Sequence, residues 1–196
     1  EHPWIGDAYI KRRLPRTVEI VLTERRAVAT VIFEVPYLVD DAGEVFKRWV
    51  RGDPIASPVV TGFSREAFLK DGDGTAKKIR DAIDLAARYR NSGLHKRAPL
   101  AEIHYEEDGN FSLVVMDAEP IYVKFGGGPY RRKITRLAAL LNQLRRDGHR
   151  ASIIYFDNEI SPNRITVKLR TKENQTRNRI RKNDKTNILQ KRMSKI

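Results

Sequence analysis

No cysteine occurs among the 196 residues, which rules out disulfides and thiolate metal sites. No apolar run reaches eighteen residues, so nothing in this sequence is long enough to span a bilayer as a helix. Histidine is scarce as well: His2, His95, His104 and His149 stand far apart, with no His-x₃-His or HExxH spacing for zinc. No G-x-S-x-G elbow is present, and no Ser or Thr stands beside a base in a recognisable catalytic frame. The composition therefore offers no argument for an enzyme, a cofactor or a metal.

Charge is plentiful, and its distribution matters more than its total. The net charge is +13. Residues 171–196 hold nine Lys/Arg against Glu173 and Asp184, a net of +7; the other 170 residues hold 29 basic against 23 acidic, a net of +6. That last stretch is rich in Asn, Lys, Arg and Thr and poor in apolar residues, and reads as a basic, disordered tail. A basic nucleic-acid-binding protein is one reading of such a chain. No helix-turn-helix or RNP-like pattern supports it, so no specific nucleic acid is expected.

Apolar content of 40% is enough for a core, and its spacing marks the elements. Ile121–Phe125 is β-rich and stops at Gly126-Gly127-Gly128-Pro129. From Tyr130 the period changes to about 3.6, so that Tyr130, Ile134, Leu137, Leu141 and Leu144 share one face of a helix that ends at Gly148. Two strands come next, Ala151–Phe156 and Ile165–Leu169; in the second, Ile165, Val167 and Leu169 alternate with Thr166 and Lys168. Upstream, Asp7–Arg13 and Thr17–Arg25 read as strands joined at Leu14-Pro15-Arg16, and Val28–Phe33 as a third. Tyr37–Val39 and Val45–Trp49 read as a hairpin about Asp40-Asp41-Ala42-Gly43. A helical region spans Ser64–Asn91, interrupted at Asp71-Gly-Asp-Gly74, with Thr75 expected to cap its second part. Ala101–Tyr105, Phe111–Met116 and Ile121–Phe125 form a meander.

Two motifs invite chemistry and fail on spacing. Gly126-Gly127-Gly128 between strand and helix suggests a phosphate cradle but has neither the P-loop lysine nor a G-x-G-x-x-G frame, and a structural turn is the better reading. Asp71 and Asp73 resemble the start of a calcium loop but lack its glycine and closing glutamate positions, leaving an acidic turn.

The N-terminal run is more specific. His2-Pro3-Trp4-Ile5, Ala8, Ile10, Arg12-Arg13-Leu14-Pro15, Thr17-Val18, Ile20-Val21, Glu24-Arg25 and Ala27-Val28-Ala29 resemble the second half of the POTRA domain of the FtsQ/DivIB bacterial cell-division proteins. Leu38-Val39-Asp40 with Gly43 and Phe46, Ser57-Pro58-Val59-Val60-Thr61-Gly62, Ala101-Glu102-Ile103 and Val123–Leu141 continue the resemblance. It implies an α+β fold: a partial POTRA of β-hairpin and strands over 1–50, then over 51–170 a β domain whose antiparallel sheet packs against helices. The tail at 171–196 is outside it. In the POTRA piece, Trp4 would seal a helix against the sheet, with Val18, Ile20 and Leu22 forming the inner face.

The resemblance further implies a non-enzymatic divisome scaffold at the septum. It would be anchored in the inner (cytoplasmic) membrane by a single transmembrane helix missing from this sequence, with its ectodomain on the periplasmic side. It would bind FtsB-like and FtsL-like division proteins and so regulate septal peptidoglycan synthesis. A POTRA module of an outer-membrane assembly or secretion protein is a further alternative, without the strand array such proteins carry. Strand addition at the C-terminal end of the β domain is how the family binds FtsB. The expected partner-binding residues are therefore Tyr155, Ser161, Asn163, Ile165, Thr166, Val167 and Lys168, with Arg136 on the neighbouring helix. Proline at Thr166 or Lys168 is expected to remove an edge N–H.

Overall fold

In the computed structural model, residues 2–157 and 164–170 are described. The chain opens with an antiparallel hairpin, β1 (Ile5–Arg13) and β2 (Thr17–Glu24), which forms a sheet of its own. A second sheet takes the other nine strands: β3 (Ala29–Ile32), β4 (Pro36–Val39), β5 (Val45–Arg48), β6 (Val59–Thr61), β7 (Leu100–Tyr105), β8 (Phe111–Met116), β9 (Pro120–Lys124), β10 (Ala151–Tyr155) and β11 (Thr166–Leu169). Their order across it is β11-β10-β9-β8-β7-β6-β3-β4-β5. Among the described residues three α-helices, α1 (Arg65–Lys70), α2 (Gly72–Asn91) and α3 (Tyr130–Arg146), complete an α+β fold.

The expected antiparallel sheet is in fact mixed. The β7-β8-β9 meander is antiparallel, but β3 pairs with β6, β6 with β7, and β9 with β10 in parallel. The physical reason is the crossovers. α1 and α2 carry the chain from β6 to β7, and α3 carries it from β9 to β10, returning the next strand to the same end of the sheet. The glycine turn is thus part of a β-α-β unit. The division expected near residue 50 also falls inside this sheet, because the β3–β6 ladder binds 29–48 to the remaining strands; the chain passes between its two sheets at 25–28 instead.

One apolar core lies between the nine-stranded sheet and α2 and α3. Alternate residues of the central strands point into it: Ile103 on β7, Leu113 and Val115 on β8, Ile121 and Val123 on β9, Ile154 on β10. From α2 come Ile79, Leu85 and Tyr89, and from α3 come Ile134, Leu137 and Leu141, the stripe that a 3.6-residue period selects. Ser64 caps α1 as its spacing suggests, its hydroxyl accepting from the Ala67 N–H at 3.0 Å. The cap of α2 differs from expectation. Asp71 ends α1 and caps α2 at once, accepting from the Gly74 N–H at 2.9 Å, so the helix already runs through Gly72 and Thr75 is buried within it.

The hairpin departs further. Ile10, Val18, Ile20 and Leu22 share a face, yet each is more than half exposed. Trp4 packs edge-on against Phe46 of β5 rather than on a helix.

Candidate partner-binding edge

Among the described residues β11 is the last strand of the sheet and pairs with β10 alone. Its sequence supports both of its faces. Ile165 and Val167 are half-buried against the core on the helix side, while Thr166 and Lys168 are exposed on the other. Tyr155 stands opposite Thr166, and Ile153 opposite Lys168. From β7 outward this second face carries no helix among the described residues. It presents His104, Ser112, Val114, Tyr122, Lys124 and Tyr155 at alternate positions, Tyr122 being 57% exposed.

Backbone direction on β11 is set by two hydrogen bonds. The Arg170 N–H donates to the Arg150 carbonyl at 2.8 Å, and the Lys168 carbonyl accepts from the Ser152 hydroxyl at 3.0 Å. In a strand the N–H and C=O of one residue point the same way and alternate with the next. Thr166, Lys168 and Arg170 therefore turn their backbone groups toward β10, and Val167 and Leu169 turn theirs outward. This corrects the sequence expectation for proline: at Thr166 or Lys168 it would break the internal ladder, whereas the outward N–H groups belong to Val167 and Leu169.

Only one of the remaining expected residues, Arg136, is described, and it stands apart from this edge. Ser161 and Asn163 lie outside the described residues. Arg136 sits on α3 with its guanidinium 5.8 Å from the centre of the Phe156 ring. Phe156 is buried in the core on the helix side, so Arg136 belongs to the opposite face from Tyr155 and Thr166.

The Gly126–Gly128 turn has its own occupant. The Lys133 ammonium donates to the carbonyls of Phe125 and Gly127, both at 2.7 Å, so the turn is built to hold a cation from its own helix rather than a phosphate. Burial pushes the Lys133 pKa below its usual value, with Arg136 adding to the shift and Asp157 opposing it. Beyond this turn, a cleft of about 590 Å³ is bounded by His104, Glu106, Lys124, Tyr155 and Asp157. Glu106 is held below the usual carboxylate range by Lys124, 2.6 Å away, and by the Ser112 hydroxyl. Among the described residues no three His, Asp or Glu side chains gather as a metal site.

Sequence reasoning missed Arg170 and Glu119. The Arg170 guanidinium crosses β10 to pair with Glu119 at 2.8 Å and to donate to the Pro120 carbonyl at 2.5 Å. Nothing local in the sequence signals a contact fifty residues apart.

Residues 29–158 match the family model described as "Cell division protein FtsQ/DivIB, C-terminal". The chain belongs to the FtsQ/DivIB family of cell-division proteins. It is 37% identical over 168 residues to the cell division protein FtsQ of Anaeromyxobacter sp. (strain K), covering 86% of this chain and 56% of that one. Against FtsQ of Myxococcus fulvus it is 32% identical over 169 residues, 86% of this chain and 58% of the relative. For FtsQ of Geobacter sp. (strain M21) the figures are 32% over 144 residues, 74% and 52%. The chain thus spans a little over half the length of these relatives. The family match begins at Ala29, the first residue of β3, which agrees with the passage between sheets at 25–28. Among the described residues no helix is long and apolar enough to cross a membrane.

Proposed function

We propose that this chain is the extracytoplasmic part of a membrane-anchored, non-enzymatic division scaffold, and that β11 binds an FtsB-like partner by strand addition. Through that partner and an FtsL-like one it would help regulate septal peptidoglycan synthesis, on the outer side of the cytoplasmic membrane at the septum. Family membership supports the setting. One observation carries the binding mode: the outward N–H and C=O groups of Val167 and Leu169 have no neighbouring strand among the described residues. Such an edge offers a partner strand main-chain hydrogen bonds, with selectivity from alternate side chains, here Thr166 and Lys168 beside Tyr155. The usual protection of an edge is thin, since Arg170 is folded inward and Lys168 is left as the exposed charge of the strand.

Leu169→Pro tests this. Leu169 is 42% exposed and its N–H faces outward, so proline there removes an offered donor while sparing the β10 ladder. Loss of FtsB-like protein from pull-downs, with circular dichroism unchanged, is the expected result. Full retention of the partner by folded Leu169→Pro would refute strand addition at β11.

A further inference from the structure

We infer that Arg170 and Glu119 form a latch that fixes the phase of β11, so that partner affinity is set by a residue pair outside the interface. The consequence for affinity rests on the strand-addition reading above; the latch itself does not.

β11 is four residues long, and the chain before it, 158–163, lies outside the described residues. A short edge strand has few ladder bonds to hold its register, and a slip of one residue exchanges its two faces and its outward and inward backbone groups together. Here β10 adds a complication of its own: its register against β11 shifts between Ala151 and Ile153. Ser152, the extra residue, spends its hydroxyl on the Lys168 carbonyl.

Just past this irregularity Arg170 closes the strand. Its N–H meets Arg150, and its side chain, 15% exposed, runs on the helix-free face over β10 to the β8–β9 turn. Nη1 pairs with the Glu119 carboxylate and Nη2 with the Pro120 carbonyl, while Nε is shut from solvent without an acceptor. Two contacts at the start of β9 thus pin a strand that is two positions away in the sheet. A slipped β11 would carry this cation away from both, leaving it desolvated and unpaired, which is costly. The latch therefore penalises the wrong phase and holds Val167 and Leu169 outward before any partner arrives. Preorganisation of this kind raises affinity without adding a contact.

The asymmetry of half-buried ion pairs gives a sharp test. Glu119→Gln leaves the Arg170 cation without its counter-charge; Arg170→Met with Glu119→Gln removes the whole pair. In the full chain, amide hydrogen exchange by NMR at Thr166 and Lys168 is expected to accelerate about tenfold or more in Glu119→Gln. The double variant should be less affected than the single one, and Ile103 and Leu113 in the sheet centre should be unchanged. Unaltered exchange at Thr166 and Lys168 in Glu119→Gln, or a double variant as loose as the single one, would overturn the latch. Affinity for the FtsB-like protein should fall in proportion to the fraction of chains that keep β11 in phase, read from the Val167 and Leu169 amide signals. If that fraction falls and affinity holds, the latch stands and strand addition at β11 is what fails.

Discussion

The Trp4 indole meets the Phe46 ring edge-on, centroids 5.3 Å apart, and this contact seats the N-terminal hairpin on the edge of the sheet opposite β11. Around it Arg25 lies 5.7 Å from the Phe46 centroid and pairs with Asp40 at 2.8 Å and Glu44 at 2.9 Å. The Lys47 ammonium stands 6.0 Å from the Trp4 ring. The Asp40–Gly43 turn is thereby the socket for β2, with Asp40 also accepting the Ala42 and Glu44 N–H groups.

Removing either ring should loosen the hairpin and leave the large core alone. Edge-to-face aromatic pairs contribute about 0.5–1.5 kcal/mol beyond their buried area. Trp4→Ala and Phe46→Ala are each expected to cost about 1–2 kcal/mol in hairpin docking, and a double-mutant cycle should recover a coupling of about 1 kcal/mol. Limited trypsin cleavage at Arg12, Arg13 and Arg25 reads out the docking. Additivity of the two substitutions would show that the rings do not hold the hairpin.

Alkaline pH should act through Tyr89. Its hydroxyl donates to the Ala98 carbonyl at 2.7 Å inside the core, and burial pushes the phenol far above its ordinary value of 10.0. A group whose folded pKa is raised stabilises the fold fully below the unfolded pKa, and that stability is lost as pH rises toward the folded one. Stability should therefore decline above about pH 10. Tyr89→Phe should lose about 1–2 kcal/mol at neutral pH, because the Ala98 carbonyl is left without its donor, and should show a shallower alkaline decline. Chemical denaturation at pH 8 and pH 11 measures both; parallel losses in the two proteins would exclude Tyr89 as the source.

Residues 171–196 carry +7 of the +13 net charge. Among the described residues the buried core cluster runs to Phe156, with Ile165 and Val167 packed against it, and the sequence of 171–196 is poor in apolar residues. Deleting 171–196 is expected to move the unfolding midpoint by no more than about 2 °C, as a change with little effect on packing should. Affinity for duplex DNA at low salt should fall, and its salt dependence should flatten as phosphate-neutralising cations are lost. Unchanged DNA affinity in the shortened protein would assign the binding to the sheet domain and revive the nucleic-acid reading.

What the sequence disclosed and what it concealed differ in range. The α3 stripe and the alternation in β11 are local periodicities, and both stand in the structure as spaced. The hairpin strands were legible from Pro15 and their flanking β-rich runs. Strand neighbours are not periodic facts. That β3 lies beside β6, and β10 beside β9 in parallel, depends on crossovers whose endpoints carry no pairing mark. At the edge, side-chain alternation marked the faces of β11 but could not mark the phase of its backbone, which required Arg170 and Ser152 to be seen against β10. Lys133 shows the same limit: no local pattern marks it, among the basic residues of α3, as the ammonium that fills the glycine turn.

Gly62 stands where β6 turns out of the sheet toward α1, and it should tolerate no side chain. Its φ is +89°, and a Cβ there would lie 2.0 Å from the Tyr105 carbonyl oxygen and 2.9 Å from its carbon and nitrogen. Both facts demand glycine, one for the backbone conformation and one for the closeness of β7. The approach has a purpose in packing. Phe63, the next residue, stacks on the Tyr105 ring with centroids 5.2 Å apart and planes 7° from parallel, and Tyr105 in turn meets Phe111. Alanine at 62 would have to push β6 away from β7 and break that stack, because the atoms it strikes are main chain and cannot swing aside. Gly62→Ala is therefore expected to destabilise the domain by about 3 kcal/mol or more. Phe63→Leu, which keeps the backbone and most of the buried volume, should cost only about 1–1.5 kcal/mol. Urea unfolding of the two variants ranks them. If Phe63→Leu proves the more damaging, the ring stack and not the close approach of the two strands is what Gly62 protects.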